Sequence, residues 1–183
     1  MRYYAILIIL FLAMTGWPIE ACADTSLLLQ EQEIKAGLLY NFLKYIDWPP
    51  GSPATTSSSV TVCVFGSDPF SGYLQPMAGR TVNQRKIEIR NIHDIQDISA
   101  CQLLYVNADE KERWPELMKI VAGKNVLTVG DFTDFTATGG MIEFGLKDDH
   151  INVRLNTDSV TAARLHVQDR LLKLVTIVHS GGP

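Results

Sequence analysis

Two aspartates are the residues best placed for chemistry in this 183-residue chain. Asp68 and Asp131 each come shortly after a glycine that ends an apolar run, which predicts that both follow a buried strand. In a parallel sheet the carboxyl ends of the strands form the usual ligand crevice. Two carboxylates there could bind a cation or act as acid and base. Each also suits a local role, as a helix cap at Asp68 and in a turn at Asp131.

Other catalytic or metal-binding patterns are missing from the sequence. The four histidines lack metal-ligand spacing, and the serines at 57–59 lack the Gly-x-Ser-x-Gly elbow of hydrolases. The glycines of a dinucleotide fingerprint are absent after the first strand, and a net charge of −4 gives no basis for nucleic-acid binding. We therefore expect a protein that is not an enzyme, without catalytic residues, cofactor or metal.

Residues 1–23 have the features of a secretory signal peptide. Arg2 begins a short apolar run that is below the roughly 20 residues needed to span a bilayer. Small residues then occupy both key positions of a cleavage site ending at Ala23. The alternatives are an uncleaved membrane anchor and a lipoprotein ending at Cys22. Cleavage leaves residues 24–183, which we expect to form one exported domain.

Export leaves two cysteines, Cys63 and Cys101. Two cysteines in an oxidising compartment predict one disulfide. Cys63 lies in a predicted buried strand and Cys101 just before another, and neighbouring strands bring Cα atoms within disulfide range. The alternative is a pair of buried free thiols.

Predicted strands and predicted helices alternate along the sequence that carries these residues. Such alternation predicts an α/β fold with a mixed, largely parallel β-sheet, flanked by helices on both faces. A C-terminal β-hairpin over residues 140–155 and a final helix complete it. The predicted strands are residues 60–66, 87–92, 103–106 and 126–130, and the predicted helices are residues 28–47, 69–78, 114–122, 159–165 and 171–178.

Aromatic residues gather at the end of the first helix, whose apolar face we expect to include Ile34. Tyr45 and Trp48 stand beside a Ser/Thr/Pro-rich loop. Aromatic side chains are over-represented in binding interfaces, so these two predict a partner surface. The alternative is packing against the sheet.

The order of short motifs resembles the YfiR family of small periplasmic proteins. The resemblance extends over most of the chain from Glu33 to Val178. It rests on Lys35-Ala36, Tyr40-Asn41-Phe42, Trp48-Pro49, Cys63-Val64, Asp68-Pro69-Phe70, Leu127 to Asp131, Gly139 to Ile142, and Leu171-Leu172.

This resemblance implies a periplasmic repressor. Such proteins bind the periplasmic part of an inner-membrane diguanylate cyclase and hold it inactive, which controls cyclic di-GMP and biofilm formation. Family members can also dimerise, so the resemblance allows a homodimer. The alternatives are a periplasmic small-molecule sensor and, less favoured, a hydrolase, each using the crevice near Asp68 and Asp131.

Overall fold

Helices and strands are mixed along the described chain, as the apolar pattern predicts, although no α-helix lies between residues 57 and 113. The structure is a computed structural model that describes residues 21–147 and 150–179. The predicted signal peptide lies outside these residues except for its last three, which begin the first helix. Within the described ranges no helix is both long and apolar enough to cross a membrane.

The elements are numbered in chain order. The helices are α1 (Ala21–Tyr45), α2 (Pro53–Thr56), α3 (Trp114–Val121), α4 (Thr157–Ala162) and α5 (Asp169–Leu172). The strands are β1 (Ile46–Asp47), β2 (Ser59–Phe65), β3 (Thr81–Val82), β4 (Arg85–Ile92), β5 (Leu103–Val106), β6 (Leu127–Gly130), β7 (Ile142–Lys147), β8 (His150–Asn156), β9 (His166–Val167) and β10 (Thr176–Val178).

The main sheet of the described chain has the strand order β10-β8-β7-β6-β5-β2-β4-β3. The pairs from β7 through β6, β5 and β2 to β4 are parallel, as is β10 with β8. β7 with β8 and β3 with β4 are antiparallel. The predicted mixed, largely parallel sheet is therefore confirmed, and the loops after β2, β5 and β6 meet at one edge.

Two apolar layers cover the sheet, one on each face. Alternate residues of the central strands point to opposite faces, so Val62 and Tyr105 lie in the apolar layer that includes α1, while Cys63 and Leu104 lie in the layer that includes α3. The first layer includes Leu39 and Phe42, and the second includes Trp114 and Phe135. Helices on both faces, as predicted, exclude water from strands that are buried on both sides.

Cys63 and Cys101 form a disulfide with their Cα atoms 5.8 Å apart. Cys63 lies in β2 opposite Leu104 of β5, and Cys101 precedes that strand. Both cysteines are buried in the layer on the α3 face. The bond therefore joins two strands that are already neighbours in the sheet.

Phe135 occupies a slot that only glycine allows. A Cβ atom on Gly130 would lie 2.3 Å from the Phe135 ring, and one on Gly140 would lie 2.2 Å from it. The Phe135 ring also contacts Trp114, with 4.3 Å between ring centroids. The two glycines therefore let the loop after β6 pack its aromatic side chain directly on the sheet.

Three predicted details are wrong. The face of α1 that packs on the sheet contains Lys35, Leu39 and Phe42, while Ile34 is 47% exposed. Residues 69–78 form turns and one 3₁₀ turn rather than a helix, because Ser71 and Gly72 have φ values of 49° and 89°.

The predicted C-terminal helix over residues 171–178 is the third error. Only the single turn of α5 is helical, and β10 follows as a strand parallel to β8. Val175, Thr176, Ile177 and Val178 are β-branched, which favours a strand where a neighbouring edge can pair with it.

Removing the disulfide should destabilise the protein without changing its fold. The bond closes a ring across 38 positions of sequence, for which the chain-entropy model gives about 4 kcal/mol. We expect Cys63→Ala with Cys101→Ala to lower the free energy of unfolding by about 2–5 kcal/mol in urea titrations. Wild-type protein under reductant is the control and should show a similar loss. Equal urea midpoints for oxidised wild type and variant would contradict the prediction.

Candidate functional site

A buried ion pair joins α1 to the carboxyl edge of the sheet. The Lys35 ammonium donates to both carboxylate oxygens of Asp131, with Nζ to oxygen distances of 2.7 and 2.8 Å. It also contacts Glu31, one turn earlier, at 2.5 Å. The Lys35 side chain is 4% exposed, and those of Asp131 and Glu31 are 18% and 19% exposed. Lysine is almost never buried without such partners.

Tyr105 completes this cluster from the middle of the sheet. Its hydroxyl donates to Asp131 Oδ2 at 2.8 Å, and the residue is fully buried. Burial raises the pKa of the Tyr105 phenol, and the nearby carboxylates of Asp131, Glu31 and Asp68 raise this pKa further. Tyr105 therefore stays protonated and acts as a hydrogen-bond donor.

Asp68 lies near this cluster but makes a local hydrogen bond. Its Oδ1 accepts from the Phe70 amide at 2.8 Å, which fixes the turn after β2. Phe70 then packs against the Tyr105 ring, with 4.8 Å between centroids. The helix cap anticipated at Asp68 is wrong, because residues 69–74 form turns, and Asp68 acts in that turn instead. A ligand crevice at Asp68 and Asp131 stays a prediction.

The cluster contains two carboxylates, one ammonium and one neutral phenol in contact with each other. Both oxygens of Asp131 are engaged by protein donors. Among the described residues no group of three histidine, cysteine or acidic side chains is arranged to hold a metal ion. The geometry suits the fixing of α1 on the sheet.

A cavity of about 410 Å³ lies on the face of the sheet that α3 covers, opposite the face that carries the Lys35 cluster. It is bounded by the loops after β5 and β6 and by the start of α3. The Lys111 ammonium lies 5.9 Å from the centre of the Phe132 ring, and the Trp114 indole donates to Thr138 Oγ1 at 3.1 Å. The lining residues are Lys111, Glu112, Trp114, Pro115, Met118, Phe132, Thr133, Asp134 and Thr138.

The two aromatic residues predicted to form a partner surface differ in exposure. Trp48 is 6% exposed, and its indole donates to the Asn125 carbonyl at 3.0 Å. Tyr45 is half-buried, with the Lys44 ammonium 5.3 Å from its ring centre. Trp48 thus packs in the core of the chain, and a partner surface at this pair stays a prediction.

Sequence reasoning missed the roles of Glu31, Lys35 and Tyr105. Lys35 belongs to one of the motifs that carry the family resemblance, but the sequence pattern predicts no ion pair or hydrogen bond for it. A usable signal exists, because Lys35 is spaced four and seven residues from the core residues Leu39 and Phe42. A lysine on the apolar face of a helix requires an acidic partner, and Glu31 stands at the i−4 position.

Comparisons with known proteins agree with this architecture. Residues 32–176 match the model of a protein family described as YfiR/HmsC-like. That match includes Lys35, Tyr105, Asp131 and both disulfide cysteines. No curated protein matches the sequence.

Solved structures with a similar fold include one described as the ABC domain in complex with L-Trp from Streptococcus pneumonia, with a TM-score of 0.53 and 9% sequence identity. The match covers 80% of this chain and 60% of the other, so this chain spans less than two thirds of that protein. At this identity the similarity concerns the fold alone.

Breaking the Lys35–Asp131 pair should be costly. Asp131→Asn leaves a buried ammonium with only Glu31 as a counter-ion, and we expect a loss of about 3 kcal/mol in the free energy of unfolding. Adding Lys35→Met should recover part of that loss, since the uncompensated charge is then removed. Urea titration of both single variants and the double variant measures this coupling.

Glu88→Gln is the matched control, because it removes one partner of an exposed ion pair with Arg90. It should leave the unfolding free energy nearly unchanged. Strictly additive losses in the Lys35 and Asp131 variants would show that the two side chains are not coupled.

Proposed function

Because the chain belongs to the YfiR/HmsC-like family, we propose that it is a periplasmic regulator that binds and represses an inner-membrane diguanylate cyclase. The observation that carries this proposal is the family match over residues 32–176, from α1 to the start of β10. The family's role is regulatory rather than catalytic. A regulator of this kind acts by binding, so it needs a stable surface rather than a reacting group.

Two structural features support a role as a rigid binding protein. The Cys63–Cys101 disulfide ties β2 to β5, and the Lys35–Asp131 pair ties α1 to the opposite face of the same sheet. Disulfides persist in oxidising compartments such as the periplasm. We propose that residues 1–23 direct export there and are removed, so that the repressor meets the periplasmic part of the cyclase.

Repression requires that the regulator bind the inactive cyclase more tightly than the active one. A ligand shifts a two-state equilibrium only by its difference in affinity for the two states. Loss of the regulator then returns the cyclase to its intrinsic equilibrium between inactive and active states, and the concentration of cyclic di-GMP rises. Tyr45 is a candidate contact on the regulator, and a homodimer could present two such contacts.

Deleting the gene should raise cellular cyclic di-GMP and biofilm mass. The full-length gene supplied in trans should reverse both changes. A version lacking residues 2–23 should not reverse them if the protein acts in the periplasm. Cyclic di-GMP is measured by mass spectrometry in several growth conditions. Unchanged levels in all of them would contradict repression, and reversal by the leaderless version would contradict periplasmic action.

A second candidate function is a small-molecule sensor. The cavity near α3 favours it, because about 410 Å³ is within the size range of ligand pockets. Its apolar wall is formed by Trp114, Phe132 and Met118, and charged groups of both signs, at Lys111 and Asp134, stand among the lining residues. The cavity also lies at the carboxyl ends of β5 and β6, where ligands of parallel sheets bind.

The sensor function is tested by filling the cavity. Thr133 lines the cavity, whereas Ala137 in the same loop does not. We expect at least one of a panel of small aromatic acids and amines to raise the melting temperature of wild type and of Ala137→Trp, but not of Thr133→Trp. A panel that shifts none of the proteins, or all three equally, would count against this cavity as a sensor site.

A further inference from the structure

The outer side of β4 is open along half of its length. β2 pairs with one side of β4 throughout, but on the other side β3 reaches only Arg85 and Lys86. The last backbone bonds on that side are made by Ile87, whose amide donates to the Arg80 carbonyl at 2.8 Å and whose carbonyl accepts from the Gly79 amide at 2.9 Å. Within the residues that the structure describes, no strand pairs with this side over residues 88–92.

Two residues direct their backbone groups outward from this edge. The Lys86 amide donates towards β2, to the Ser58 carbonyl, so even-numbered positions of β4 face β2. The backbone direction alternates along a strand. The N–H and C=O groups of Ile89 and Asn91 therefore face away from the sheet, in the geometry that an added strand would use.

Positive charge is concentrated around this open edge. Residues 80–90 contain four cations, Arg80, Arg85, Lys86 and Arg90, and one carboxylate, Glu88. The whole chain carries a net charge of −4. Lys86, Glu88 and Arg90 share one face of β4, where Arg90 pairs with Glu88 at 2.8 Å, and Arg85 lies on the other face, since side chains alternate. The Nη1 atom of Arg85 is buried without a hydrogen-bond partner.

These cations select against a second copy of the chain. Lysine and arginine on an edge strand oppose pairing with an identical edge, because like charges are brought together. The same charges favour an acidic strand. A lipid surface could satisfy the cations, but it offers no partners for the amides and carbonyls of Ile89 and Asn91. An extended peptide offers them.

We propose that the open edge of β4, residues 88–92 with the flanking cations, is a docking site for an extended acidic segment of a partner protein. The segment would add to the sheet as a further strand beside β4. Backbone hydrogen bonds to Ile89 and Asn91 would supply affinity, and contacts with Lys86 and Arg90 would supply selection for acidic side chains. This site is separate from the cavity near α3 and from the Lys35 cluster.

A synthetic peptide of about ten residues in which Glu and Val alternate is a suitable probe. The control is a peptide of the same length in which Lys replaces Glu. Residue-resolved amide exchange measured by NMR should show slower exchange at Ile89 and Asn91 when the Glu–Val peptide is added. The amides of Glu88 and Arg90 already face β2 and should change little. Slower exchange at every second amide is specific to the addition of a strand. The measurement requires no cyclase, so it tests this site independently of the proposed function.

Affinity, measured by fluorescence anisotropy, should depend on both the charge and the backbone. Lys86→Glu with Arg90→Glu should weaken peptide binding by about tenfold or more. Lys119→Glu with Lys173→Glu makes the same charge change at exposed positions elsewhere and should have a much smaller effect. Asn91→Pro removes one outward N–H on an edge, where proline is tolerated, and should also weaken binding; thermal melts establish that each variant is folded.

Four results would overturn the proposal. The first is equal binding of the Glu–Val and Lys–Val peptides, and the second is unchanged exchange at Ile89 and Asn91. The third is binding to phosphatidylglycerol vesicles without binding to the peptide, since that would make the edge a lipid contact. The fourth is a tenfold loss of peptide affinity in the variant with Lys119→Glu and Lys173→Glu, since that would attribute peptide binding to the net charge of the protein rather than to this edge.

Discussion

The position of α1 on the sheet depends on where the Lys35 ammonium can be neutralised. A buried ammonium is tolerated only next to carboxylates, and Asp131, at the end of β6, provides the carboxylate on the sheet. Once Lys35 is placed, helical spacing brings Leu39, Phe42 and Leu43 onto the same apolar layer. Glu31 and Tyr105 then satisfy the remaining charge and hydrogen bonds, which fixes both the rotation and the axial position of the helix.

The opposite face of the sheet is held by different chemistry. There the Cys63–Cys101 bond links β2 to the segment entering β5, and the rings of Phe132, Trp114 and Phe135 pack together. A covalent bond limits the unfolded chain rather than adding native contacts, whereas the ion pair on the α1 face acts on the native arrangement. Helix and strands are thus fixed relative to each other from both sides, which suits a protein that acts through its surface.

The two edges of the main sheet differ in character. At the β10 end several apolar side chains are exposed, with Leu174 at 72%, Leu146 at 66% and Ile177 at 47%. At the β3–β4 end the exposed side chains are polar and include the cations Arg80, Lys86 and Arg90. These two edges suit different partners. Burial of apolar surface would drive association at the β10 end, whereas the cations at the β3–β4 end would favour partners of opposite charge. A protein with two such edges has distinct surfaces for distinct contacts within a small fold.

The α/β class, the central strands and the disulfide could be predicted from the amino-acid sequence, because they depend on local apolar runs, on alternation and on two cysteines near neighbouring strands. The order of short motifs in the sequence also predicted the family. The conformation of residues 176–178 depends on the tertiary structure, because an apolar β-branched run can form a helix or a strand until the edge of β8 is available to pair with it. The burial of Lys35 and the exposure of Ile34 depend on it too, since the partner that neutralises Lys35 is 96 residues away. Local patterns cannot report a contact between residues so distant in sequence, and the cavity and the open edge of β4 likewise exist only once separate loops and strands are brought together.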